Sequence, residues 1–205
     1  MQVILATRNK TKVGQIRGVF EDSGIEIVTM EEVGIEGDPV EDADTLFGNA
    51  LKKVKFVREH SLAPVAPWVI ADDTGLFIRA LGGEPGVRSA RWAGEHATTR
   101  YIMAYTLAVL SEKTDRFATF KTAVVVLAPS GSAHFFEGSV DGEILRSPQA
   151  PFQPKMPYSG IFLPAGRSKV LAEMSVEEEN QISHRGIAFR KALDFLERCN
   201  KLGLI

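Results

Sequence analysis

The stretch from Ile70 to Gly94, IADDTGLFIRALGGEPGVRSARWAG, constrains this chain more than any other. Trp68, Val69, Ile70 and Ala71 form a short apolar run of the kind that makes a buried strand. The run ends in two adjacent carboxylates, Asp72 and Asp73, followed by Thr74 and Gly75. A second run, Leu76-Phe77-Ile78, precedes the turn signals Gly82-Gly83 and Pro85-Gly86. Successive side chains of an extended chain point to opposite faces. One aspartate is therefore expected to face a cleft while the other is held by backbone or a helix terminus. Carboxylates beside an apolar strand need a partner, which can be a metal, a Lys or Arg, or backbone N–H groups. A plain turn capped by Asp is the competing reading.

The chain has 205 residues, enough for one domain or one domain with two lobes. Its 44% hydrophobic and 24% charged residues supply a core and an ordinary polar surface. A net charge of −2 gives no overall basic field for nucleic acid, so phosphate recognition must come from a local cluster. The single cysteine, Cys199, excludes an internal disulfide framework and a Cys-rich metal site, and its apolar helical setting points to packing. The N-terminal residues MQVILATRNK lack a signal-peptide apolar region, and no run approaches the roughly 18 residues of a membrane span. A cytoplasmic protein with no membrane or nucleic-acid partner is expected.

Val3 to Ala6 predicts a first strand, Thr7 to Lys12 a polar turn, and Val13, Ile16 and Phe20 a helix. Such a helix start favours an anion, and either Asn9 or Thr11 can cap it. Lys10 and Lys12 oppose the helix dipole there, which points toward a phosphate, although two solvated lysines would look the same. A second strand over 25–28 leads into an acidic loop from Glu31 to Asp44 that includes Glu41. Asp44 to His60 predicts a helix with Leu46, Ala50, Leu51, Val54 and Val57 on one face and Lys53 at its edge. Gly48 inside that helix costs about 1 kcal/mol against alanine, and the sequence offers no reason for it.

Thr98 to Glu112 predicts another helix whose aromatic and Met residues are expected in the core. Strands follow over 117–128 and 134–144, joined by Pro129-Ser130-Gly131, with His134 a structural residue of the second. Gly138 and Gly142 are expected at strand bends. Four prolines between Ser147 and Pro157 predict an extended, stiff loop. Ser183 reads as the N-cap of a last helix that projects His184 and Arg185 from its first turn and buries Ile187, Ala188, Ala192 and Phe195.

ADDTGL followed by GGEPGVRSARWAG resembles the central signature of the inosine triphosphate pyrophosphatase family, ADDSGL…GxPGVxSARxAG. Thr7, Asn9 and Lys12 match that family's TxxNxxK, and Lys53 the lysine of its N-A-x-x-K helix. Glu137-Gly138…Gly142…Ile144 matches EGxxxGxI, and Ser183-His184-Arg185 matches SHR. The resemblance implies an α/β fold, an elongated mixed sheet flanked by helices, with two lobes and a central cleft. It implies Mg²⁺-dependent hydrolysis of deaminated purine nucleoside triphosphates (ITP, dITP, XTP) to monophosphate and pyrophosphate, in a homodimer. Asp73 would bind metal and activate water, with Glu41 as metal partner and Asp72 in support. Substrate would be held by the turn Thr7, Arg8, Asn9, Lys10, Thr11 and Lys12, by Lys53 and Thr74, and by Tyr158, His184 and Arg185.

The chain departs from the pattern where the family carries F-G-[YW]-D-P-I-F and LAEMSxEEK. Tyr158 is kept, but the stacking Phe is Met156, the pocket Asp is Ser159 and the substrate-binding Lys is Glu179. An anion in place of a cation is not a conservative exchange. Phe152 and Lys155, in the proline-rich loop, are candidates to restore the stack and the charge. Two alternatives stand beside the implied activity: the same hydrolysis with altered base preference, and a nucleotide-binding protein with little turnover.

Overall fold

The computed structural model describes residues 1–151 and 153–202. Strand β1 (Gln2–Leu5), helix α1 (Lys10–Phe20) and strand β2 (Glu26–Thr29) come first, then helix α2 (Leu46–His60) and strand β3 (Trp68–Ile78). A two-residue strand β4 (Pro85–Gly86), helix α3 (Thr99–Val109) and strands β5 (Phe117–Leu127), β6 (Ala133–Ile144) and β7 (Phe162–Pro164) follow. Helices α4 (Val176–Ile182) and α5 (His184–Lys201) close the chain. The sheet order is β2-β1-β3-β5-β6-β7. Its first three strands are parallel and the rest antiparallel, so the sheet is mixed, as expected.

Strand β3 is the spine, and it departs from the sequence reading. The strand does not stop where the apolar run does, at Asp72; a single strand carries Trp68 through Ile78. The polar segment stays extended because β5 pairs with it throughout, from Val69↔Leu127 to Ile78↔Ala118. Ladder hydrogen bonds join backbones and are indifferent to side-chain polarity. On the other edge, β1 pairs only as far as Ile70, and β4 only with Leu76 and Phe77. Asp72 to Gly75 therefore lie at a break in one edge of the sheet, where a cleft opens.

Strand alternation sorts β1, β3 and β5 residues into two cores. Val3, Leu5, Ile70, Val124 and Val126 pack under α1 and α5. Ile4, Val69, Ala71, Val125 and Leu127 pack under α2. A third core at the far end gathers Leu76, Ile78, Phe120, Ile144 and Phe162 against Ile102 of α3. Each such aliphatic or aromatic side chain contributes about 1.5–3 kcal/mol on burial.

Cys199 belongs to the first core, as expected, and His134 lies 4.2 Å from the Phe195 ring, a structural residue as read. Helix α3 corrects the expectation for its aromatics: Met103 packs against the third core as read, but Tyr101 and Tyr105 are 56% and 38% exposed, and the fully buried positions are Ile102 and Thr106. The helix covers the end of the sheet along one narrow stripe, which leaves its tyrosines outside. Gly138 also differs from its reading. A Cβ there would lie 2.1 Å from the His184 carbonyl oxygen, so this glycine lets the start of α5 dock on β6.

Candidate active site

Adjacent positions on β3 send Asp72 and Asp73 to opposite faces of the sheet. Asp73 faces α2, where its Oδ2 accepts a hydrogen bond from Asn49 Nδ2 at 2.9 Å and its Oδ1 lies 3.5 Å from Lys53 Nζ. The same ammonium is 2.9 Å from Glu41 Oε2 and donates to the Asp72 carbonyl oxygen at 3.0 Å. That carbonyl belongs to the segment of β3 at the break in the sheet edge. Burial holds the Asp73 carboxyl above its ordinary range, an effect Lys53 and Lys12 only partly offset. Burial also works against the charge on Lys53, but Asp73 and Glu41 outweigh it and keep this lysine firmly protonated.

Asp72 faces α1 and α5. Its Oδ2 takes Lys12 Nζ at 2.8 Å, Thr74 Oγ1 at 3.2 Å and Arg185 Nε at 3.6 Å. Burial would raise its pKa, yet Lys12 and Arg185 more than reverse this and hold it well below the usual carboxylate range. Burial depresses Lys12, with Asp72 opposing. Asp72 Oδ2 is thus committed to two cations across the sheet from Glu41 and Asp73, while its Oδ1 is buried without a hydrogen-bond partner among the described residues.

A cavity of about 410 Å³ runs from this centre toward the third core. Thr7, Lys12, Glu41, Lys53, Asp73 and Thr74 line its polar end. Phe120, Met156, Tyr158, Ile102 and Leu171 line its apolar end, joined by Ser159, Glu179, His184 and Arg185. The His184 ring stacks on Phe120 with centroids 4.5 Å apart and planes 10° from parallel. Burial, reinforced by Arg185, drives the His184 pKa well down, so the imidazole is neutral.

The Thr7–Lys12 turn divides. Asn9 caps α1, accepting from the N–H groups of Thr11 and Lys12, and Thr7 Oγ1 accepts from Asn9 N–H at 3.3 Å. Lys10 is exposed and Thr11 donates its hydroxyl to the Pro154 carbonyl at 3.5 Å, so neither reaches the cavity wall. Arg8 borders the cavity, but its guanidinium binds the Ile35 and Gly37 carbonyls at 2.8 and 2.9 Å and Asp38 at 3.2 Å, pinning the acidic loop. The Tyr158 hydroxyl donates to the Ser89 carbonyl at 2.8 Å, and burial raises its pKa, so only the ring is offered to the cavity. Ser159 donates to the Met156 carbonyl at 3.0 Å. Lys155 borders the cavity with a left-handed backbone, φ 59°. Phe152 lies outside the described residues.

Several residues that build the site escaped the sequence reading. Asn49, one helical turn before Lys53, is buried, and it accepts from Ala43 N–H at 2.9 Å while donating to Asp73. It thereby ties the Glu41 loop to the strand carboxylate. The spacing of four that puts Asn49 and Lys53 on one helix face was the available signal. Arg91 grips the Glu41 carbonyl from across the cleft. Gly48 now has a reason: a Cβ would stand 2.7 Å from Ala43 Cβ, where the Glu41 loop folds back on α2.

Glu41 and Asp73 fit a hard divalent cation, because two carboxylates converge on one ammonium and burial leaves Asp73 short of positive charge. Among the described residues no group of three His, Cys, Asp or Glu side chains converges. The protein offers two carboxylates, a set that Mg²⁺-type ions complete with water and phosphate oxygens.

This arrangement, an α/β sheet broken beside paired aspartates, can be set against known proteins. The Ham1 family model matches residues 3–195. The chain belongs to the Ham1 family. It is 40% identical over 200 residues to a protein of Caldanaerobacter subterraneus named dITP/XTP pyrophosphatase, covering 96% of each chain. A Porphyromonas gingivalis protein of the same name is 39% identical over 196 residues, covering 95% of this chain and 97% of the relative. The solved Staphylococcus aureus Ham1 protein superposes with a TM-score of 0.81 at 31% identity, covering 97% of this chain and 99% of that one. The family resemblance and the α/β fold it implies are both borne out.

Proposed function

We propose that this protein hydrolyses deaminated purine nucleoside triphosphates, ITP, dITP and XTP, to the monophosphate and pyrophosphate, with Mg²⁺ as cofactor. The observation that carries the reading is the contrast at Asp73. It is the cleft-facing carboxylate, deprived of full charge compensation, beside Glu41 and Lys53. The names of the relatives support the substrate class.

In this reading Asp73, on the polar wall of the cavity, accepts a proton from the attacking water. Lys12 and Lys53 stabilise negative charge on the phosphate chain, and Thr7 and Thr74 contribute hydroxyls on the same wall. Bound Mg²⁺ would be held by Glu41 and Asp73 and would supply charge neutralisation of the phosphates. Asp72 orients Lys12 and Arg185 from behind. The base would lie at the apolar end against Phe120 and His184.

Residues 1–205 acting as one catalytic unit with two lobes, a homodimeric state and a cytoplasmic location belong to the same proposal. The two-lobed unit and the dimer rest on the family. No helix among the described residues is long and apolar enough to cross a membrane.

Pyrophosphate release from ITP, dITP, XTP, GTP and ATP, with and without Mg²⁺, tests the reading. The expected result is Mg²⁺-dependent release that favours the deaminated purines and disappears in Asp73→Asn. Nucleotide binding without turnover would replace it with the binding-protein alternative.

A further inference from the structure

Glu179 has no role in the chemistry above, yet it borders the cavity at 7% exposure. Its Oε2 accepts a hydrogen bond from Gln15 Nε2. The Oε1 of that amide accepts from Arg185 Nη1 at 2.5 Å. A single glutamine thus holds an acceptor, the Glu179 carboxylate, beside a donor, the Arg185 guanidinium. Arg185 has five N–H donors, of which Gln15 takes one and Nε is turned to Asp72, so its terminal nitrogens retain donors to offer. A carboxylate at this place would repel a phosphate, so this part of the cavity suits the base rather than the triphosphate. The neighbouring wall is the flat pair Phe120 and neutral His184, whose Nδ1 is buried without a partner among the described residues.

We infer that Glu179 and Arg185 together read the lactam edge of a 6-oxo purine, the carboxylate accepting from N1–H and the guanidinium donating to O6. The inference rests on the nucleotide reading of the cleft and adds a specificity residue to it. Hypoxanthine, xanthine and guanine all present donor N1–H beside acceptor O6. Adenine presents the reverse, an acceptor at N1 and a donor amino group at C6. Against this pair adenine sets acceptor to acceptor and donor to donor, and a buried polar mismatch is a strong discriminator. Guanine and hypoxanthine differ only at C2, which the pair does not touch. Glu179 therefore separates 6-oxo from 6-amino purines and is blind to the 2-position.

The test is calorimetric binding of IMP, GMP and AMP to wild type and Glu179→Gln, with melting curves to establish that the variant is folded. A glutamine amide can turn either its oxygen or its nitrogen to N1, so it accepts both edges. Wild type should bind IMP at least about tenfold more tightly than AMP. In the variant that ratio should fall to about threefold or less, while the IMP-to-GMP ratio stays where it was. Gln15→Leu, which removes the bridge and leaves the carboxylate, should reduce the same ratio and serves as the second variant. Equal binding of IMP and AMP by wild type overturns the inference, as does an unchanged IMP-to-AMP ratio in both variants. Absence of pyrophosphate release with the nucleotide preference intact would instead overturn the proposed activity and leave the base reading standing.

Discussion

The two faces of β3 carry neighbouring aspartates with opposite fates. On the α1 and α5 face, Asp72 is sealed in and compensated by Lys12 and Arg185, which keep it ionised far below ordinary carboxylate values. On the α2 face, Asp73 keeps a neutral amide and a shared lysine, and burial pushes its pKa up. Two carboxylates whose surroundings drive them apart have divided their labour. Asp72 is a permanent anion that organises cations. Asp73 is a group with unspent capacity for a proton or a cation. A one-residue step along a strand achieves this, because it exchanges one packed helix for another.

The largest effect that sharpens this contrast should come from Asp73→Asn. Pyrophosphate release should fall about a thousandfold or more, with the melting temperature within a few degrees of wild type. A variant that keeps a tenth of the activity would break the assignment. Asp72→Asn should act chiefly on stability, lowering it by about 3 kcal/mol in denaturant unfolding because two buried cations lose their anion. Since folding depresses the Asp72 pKa, its contribution is complete above about pH 4, the unfolded aspartate value, and is lost as pH falls toward the folded one. The gap between wild type and variant should therefore narrow on acidification, and a gap that widens would contradict the charge account.

Asn49→Ala should weaken Mg²⁺ activation about tenfold by untying the Glu41 loop from Asp73, read from activity against Mg²⁺ concentration. An unchanged titration would make Asn49 a packing residue only. The smallest effect concerns Gly48→Ala. In an open helix this exchange gains about 1 kcal/mol, but here it should cost a similar amount because the new Cβ meets Ala43. A stabilised variant would mean the loop is free to move away.

Much of the fold was legible because hydrophobic periodicity is local. The strand read over 117–128 appears as Phe117–Leu127, and the helix read over 44–60 as Leu46–His60 with Thr45 as its cap. The β3 reading failed at Asp72 because its extension depends on β5, a partner some fifty residues away that no local pattern reveals. For the site, residue type and spacing singled out Asp73, Glu41, Lys53 and Lys12. They did not separate cations that face the cleft from those committed elsewhere. Arg8 is spent on loop carbonyls and Lys10 on solvent, since helix phase and loop path decide which side chain is free. Gln15 and Asn49 escaped notice because a neutral amide gains meaning only from the charged groups it joins.

The most direct test is a carboxyl-carbon NMR titration of protein labelled at aspartate, with Asp72→Asn and Asp73→Asn used to assign the two resonances. The account predicts that Asp73 titrates above about 3.9, the ordinary aspartate value, and that Asp72 remains ionised well below it. The same titration point for both carboxylates, or Asp72 titrating above Asp73, would contradict it.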